Sequence, residues 1–104
     1  MGKIIDAEFQ ATALHLKLKV RRLDAATARD FKQECEAAWS GLVTSVVVDV
    51  EQVDFVDSSG IGALLSVYKK LPPQSASVKL LNVKPAVQSV IELLRLHRIF
   101  ELEA

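Results

Sequence analysis

The chain has 104 residues, half of them apolar and a quarter charged, with 13 basic and 13 acidic side chains in balance. That is the size of one domain able to bury a core without disulfides or metals, so residues 1–104 are read as a single unit. A basic excess is missing, which removes the electrostatic footprint of a nucleic-acid binder; the lone Cys35 makes no internal disulfide and no zinc site, and no apolar run is long enough for membrane insertion.

The N-terminal stretch "MGKIIDAEFQ" carries charge early and alternates, so it does not read as a secretory signal, and a reduced, cytoplasmic location is the expectation. Lys3 to Phe9 is a weak strand. In "ALHLKLKV", Leu14, Leu16, Leu18 and Val20 alternate with His15, Lys17 and Lys19, the pattern of a half-buried strand with one wet face. Gln10-Ala11-Thr12 would turn the first into the second as an antiparallel hairpin.

Asp24 has the position of a helix N-cap, and behind it Ala28, Phe31, Cys35 and Ala38 or Trp39 share one helical face, with Gly41 as the stop. "SVVVDV", Ser45 to Val50, is a short valine-rich run suited to a central strand covered by helices on at least one face. Ile61, Leu64, Leu65, Tyr68 and Leu71 then recur with helical period up to Pro72-Pro73. "SVKLLNV" is a further strand. Pro85 opens a third helix with Val87, Val90, Ile91 and Leu94 on its core face, and "IFELE" is a last short strand. The order is β-β-α-β-α-β-α-β. It predicts an α/β domain with a single mixed, mostly parallel sheet and helices mainly on one face.

The segment "FVDSSGIGALLSVYKKL" carries the chemistry. A helix start needs one capping oxygen, and Asp57, Ser58 and Ser59 offer three. A strand-to-helix loop also suits a phosphate, because free amides and the helix dipole favour negative charge there. Asp24, Asp54 and Asp57 would make the neighbourhood acidic and repel a free phosphate ion, whereas a phosphate attached covalently to serine would stay. It would turn a small loop into one bearing about 1.5 to 2 negative charges. Gly60 and Gly62 would keep the surface low enough for another protein to approach. The plain alternative is that these residues only cap the helix, and a capping serine can still be modified.

"VVVDVEQVDFVDSSGIGALLSVYKKL" resembles the STAS domain of bacterial anti-sigma-factor antagonists, in which a valine-rich strand, a short loop and Asp-Ser-Ser/Thr-Gly-Leu/Ile-Gly lead into an apolar helix. "VRRLDAATARDF" is similar to the family's earlier loop and helix, and "VKLLNVKPAVQSVIELLRLHRIFEL" to its C-terminal part. The resemblance implies a partner-switching regulator that is not an enzyme and holds no metal or cofactor. The unphosphorylated domain would bind an anti-sigma factor that is also a serine protein kinase. That kinase would use ATP to phosphorylate Ser58, with Ser59 the second choice, and a phosphatase would reset the switch. Asp24, Asp57, Ser59, Gly60, Ile61 and Gly62 would form the docking loop. One departure stands out: the family's Gly-x-Leu-Asp pattern here reads Arg21-Arg22-Leu23-Asp24, so two arginines flank the switch, able to clamp a phosphoserine or to select a different partner.

A second reading of the same resemblance is an accessory cytosolic subunit of a membrane transporter, held by its ATPase as in lipid-transport ABC complexes. A third is a small serine hydrolase, but His15 and His97 are the only histidines and no Gly-x-Ser-x-Gly elbow or nucleotide-type glycine loop is present. Cys35 and Trp39 read as core packing, and Lys69-Lys70 and Arg21-Arg22 as solvated surface.

Overall fold

Leu14, Leu16 and Leu18 point the same way from one strand, and everything else in the fold is built to cover them. The computed structural model describes residues 4–74 and 77–104, so Lys3 of the first expected strand lies outside the described residues. The elements are β1 (Ile5–Gln10), β2 (Ala13–Leu18), β3 (Arg22–Leu23), α1 (Ala25–Ala38), β4 (Ser45–Asp49), β5 (Phe55–Val56), α2 (Ser58–Lys70), β6 (Val78–Leu81), α3 (Pro85–Leu93), a 3-10 turn at Leu96–Arg98 and β7 (Phe100–Glu103). The expected order holds, with two additions: the two-residue strands β3 and β5, too short to show any alternation.

The main sheet runs β1-β2-β4-β6-β7. β1 pairs antiparallel with β2 through a two-residue turn at Ala11 and Thr12, and the other pairings are parallel. Residues directly opposite one another share a face. Leu14, Leu16 and Leu18 therefore line up with Val46 and Val48 of β4, Val78 and Leu80 of β6 and Phe100 of β7, all buried. The three helices cover this face with Ala28, Phe31 and Cys35 from α1, Ile61, Leu64 and Val67 from α2, and Val87 and Ile91 from α3, closing one hydrophobic core. Each large apolar side chain fully withdrawn here contributes about 1.5–3 kcal/mol.

The opposite face meets water. His15, Lys17, Val47, Asp49, Lys79 and Glu101 lie there, half-buried or exposed, and Lys79 pairs with Glu101 and Glu103 of the neighbouring strand.

Two local expectations are corrected. Gly41 does not end α1: the helix stops at Ala38, and Trp39 leaves it in extended conformation while its amide donates to the Glu36 carbonyl. Trp39 packs against the core instead of continuing the helix, with the Lys70 ammonium over its ring, so Gly41 falls in the turn beyond. Leu94 is 49% exposed: α3 ends at Leu93, and Leu94 is the cap residue at the point where left-handed Arg95 turns the chain into the 3-10 segment.

Candidate functional site

The two short strands missing from the sequence reading position the site. β3 and β5 pair in parallel, Arg22 opposite Phe55 and Leu23 opposite Val56. Leu23 and Val56 are buried and anchor the ribbon. The next residue in each strand is an aspartate, and each aspartate starts a helix. Asp24 caps α1 in a reciprocal box: its Oδ1 accepts from the amides of Ala26 and Thr27 at 3.2 and 3.3 Å, and the Thr27 hydroxyl accepts from the Asp24 amide at 3.0 Å. Asp57 caps α2, its Oδ1 accepting from the Gly60 amide at 3.0 Å. The Asp57 amide donates to the Leu23 carbonyl at 3.3 Å and ties the two caps together.

Asp57 thus does the capping that the sequence offered to three oxygens. Ser58 and Ser59 are the first two residues of α2, both exposed, and neither hydroxyl has a hydrogen-bond partner among the described residues. Gly60 is buried beneath them. A Cβ there would lie 2.2 Å from the Leu23 carbonyl oxygen and 2.7 Å from a Val56 methyl, so only glycine lets α2 start so close to the ribbon. Ile61, placed in the docking loop by sequence, is turned inward and buried in the core, where it seats the helix. Gly62 is different: a Cβ on it would meet nothing within 4 Å.

The expected acidic surround is largely neutralised. Asp54 is held by the Arg21 guanidinium at 2.8–2.9 Å and by the Lys84 ammonium from the N-cap of α3. Lys84 first, then Arg21, hold its carboxyl below the usual carboxylate range. Arg22 reaches Asp24 at 3.3 Å and lies over the Phe55 ring, 4.2 Å from its centre. The Asp24 carboxyl is also held low, chiefly by the Thr27 amide, against desolvation and with help from Arg22. Arg21 and Arg22 are therefore exposed but engaged, each with a carboxylate. Arg22, Asp24, Phe55 and Asp57 fall on one side of the ribbon, since paired residues share a side and alternate ones return to it.

Beside the serines, α1 and α2 leave a groove of about 510 Å³ lined by Ala25, Ala28, Arg29, Lys32, Gln33, Ser59 and Gly62. Sequence reasoning missed it, although Ala25, Ala28, Arg29, Lys32 and Gln33 recur with helical spacing and mark one face of α1. The remaining candidates lie elsewhere. His15 sits on the open sheet face and His97 in the 3-10 turn, and neither bonds to a serine of the loop. Cys35 is buried, and desolvation pushes its thiol up to about 12. Among the described residues no group of three His, Cys, Asp or Glu is placed to hold a metal, and no helix is long and apolar enough to cross a membrane.

The family model for the STAS domain matches residues 5–104. Over 71 residues the chain is 30% identical to an anti-sigma F factor antagonist of Lysinibacillus sphaericus, a match covering 67% of this chain and 61% of that protein, so it spans less than two thirds of the relative's length. Among solved structures, the anti-sigma factor antagonist SpoIIAA in its unphosphorylated form superposes with a TM-score of 0.78 at 24% identity, covering 96% of this chain and 87% of that one. An anti-sigma factor antagonist from Mycobacterium paratuberculosis gives 0.81 at 23%, covering 95% and 83%. At these identities the structures speak for the fold alone. The chain belongs to the STAS domain family.

Proposed function

We propose that this chain is an anti-sigma-factor antagonist, a cytoplasmic binding module switched by phosphorylation of Ser58. Unmodified, it holds an anti-sigma factor that is also a serine protein kinase. That kinase moves the terminal phosphoryl group of ATP onto the Ser58 oxygen, the hydroxyl proton leaves, and the complex parts. A phosphatase hydrolyses the phosphoserine and restores binding.

The observation that carries this reading is that Asp57, not a serine, caps α2, which leaves the Ser58 hydroxyl exposed and unspent at the first position of the helix. A phosphate there meets the positive end of the helix dipole, so the fold tolerates it. The surface does not stay the same, because a compact hydroxyl becomes a bulky dianion in the middle of the docking face. The 30% identity to a protein named as an anti-sigma F factor antagonist supports the same assignment.

The test is a phosphosite map of the chain from its own cells, together with the proteins that co-purify. Phosphate on Ser58, and a kinase retained by wild type and Ser58→Ala but not by Ser58→Asp, is the expected result. An unmodified loop with a tightly held transporter ATPase would overturn it in favour of an accessory subunit.

A further inference from the structure

The groove between α1 and α2 begins at the switch loop. Ala25 and Ser59 stand at its mouth, at the starts of the two helices. Further along the two helices, the Lys70 ammonium of α2 lies 2.8 Å from Glu36 of α1 and over the Trp39 ring. The walls are low because Ala28 and Gly62 bear little or no side chain, and the space above Gly62 is empty.

Charge is distributed unevenly around it. Among the described residues, Lys17, Lys19, Arg21, Arg22, Lys70, Lys79 and Lys84 each have a carboxylate within 4 Å, whereas Arg29, Lys32, Lys69, Arg95 and Arg98 have none. Of these five, Arg29 and Lys32 alone line the groove, one helical turn apart on its wall. Two free cations over a slot of small residues form a positive recess continuous with the Ser58 loop. In a recess of this kind the field of the two side chains is focused and a complementary anionic surface is steered in.

We infer that this groove receives an acidic segment of the protein partner, with Arg29 and Lys32 pairing two of its carboxylates while small apolar side chains fill the slot above Gly62. The inference rests on the proposed function in taking the partner to be a protein docked at the switch loop. It adds where on the chain the partner's second contact lies and what chemistry it carries. It also gives Ser59 a role distinct from that of Ser58: Ser59 is the polar lip of the groove.

The test follows amide NMR signals of the full chain while a short peptide of alternating glutamate and leucine is added at low salt, with the lysine counterpart as control. Amides of residues 25–33 and 59–62 should shift with the glutamate peptide alone. Binding should weaken by at least about tenfold in the double variant Arg29→Glu, Lys32→Glu, and should fade as salt is raised towards physiological strength, where the screening length is about 8 Å. Gly62→Gln should block the slot without altering charge. Cooperative melting at or above the wild-type temperature would show that both variants fold. Shifts confined to the open sheet face around Lys17 and Lys79, no shifts at all, or affinity untouched by the charge reversal would each overturn the inference. The same double variant is then offered to the kinase recovered with the wild-type chain. Equal retention of both would overturn the groove and leave the proposed function standing. Where no kinase is retained by either, the proposed function fails, and the peptide titration alone decides the groove.

Discussion

Asp24 and Asp57 occupy equivalent places on neighbouring strands of one parallel ribbon, and each caps the helix that follows it. Two helices are thereby launched side by side from one short ladder, and the exposed serines sit where the second begins. Because the Asp57 amide is bonded to the Leu23 carbonyl, the height of the switch loop above the core is set by the first helix start as much as by the second.

Replacement of Asp57 separates capping from charge. Asp57→Ala removes the acceptor of the Gly60 amide and should cost about 1 kcal/mol, whereas Asp57→Asn, which keeps an oxygen at that point, should cost a few tenths at most. Urea unfolding of the two variants measures this. Ser58→Ala and Ser59→Ala, which remove hydroxyls with no partner among the described residues, should leave the midpoint where it is.

The two glycines of the loop should respond in opposite directions to the same methyl group. Gly60→Ala drives a Cβ to 2.2 Å from a backbone oxygen that cannot swing aside, so α2 must lift from the ribbon, at about 1–3 kcal/mol. Gly62→Ala meets open space and replaces the poorest ordinary helix former by the best, so it should stabilise the chain by up to about 1 kcal/mol. Equal effects of the two substitutions in thermal or urea unfolding would refute the packing described for Gly60.

Cys35 should be silent in the native protein. It is buried against the sheet and its thiol is pushed up to about 12, so very little thiolate exists near neutrality. Labelling by an alkylating reagent should proceed at the rate at which the helix opens, and should accelerate in Gly60→Ala along with the loss of stability. Rapid labelling of the folded wild type would show that α1 is not packed as described.

What could be read from the sequence was whatever repeats with a period. Leu14, Leu16 and Leu18 alternate, and Phe31 and Cys35 or Ile61 and Leu64 recur at helical spacing, so the layers and their order were legible, as was the cap at Asp24. Strands of two residues have no period to detect, and β3 and β5 are known only from the partner each finds across the chain, Arg22 on Phe55 and Leu23 on Val56. For the same reason the charge around the serine loop is not legible in the sequence. Asp54 has no cation near it in sequence, but Arg21 and Lys84 reach it over separations of 33 and 30 residues. Ile61 belongs to the docking loop by its place in the motif, while its helical phase with Leu64 turns it towards the core.

Acid should undo the contacts of the two engaged aspartates. Asp24 and Asp54 are both held below the ordinary carboxylate value by their partners. A group of this kind takes up a proton less readily in the folded chain than in the unfolded one. The stability it contributes is therefore complete above the unfolded pKa of about 3.9 and is lost as pH falls through the lower folded value. Unfolding measured from neutral pH down into this acid window should show a declining midpoint, steeper in wild type than in Asp54→Asn or Asp24→Asn, because the amides no longer titrate. High salt should flatten the wild-type curve as well, since the Arg21 and Arg22 ends of these contacts are exposed and screened. Identical acid slopes for wild type and Asp54→Asn would mean that the Lys84 and Arg21 contacts to Asp54 are not held in solution.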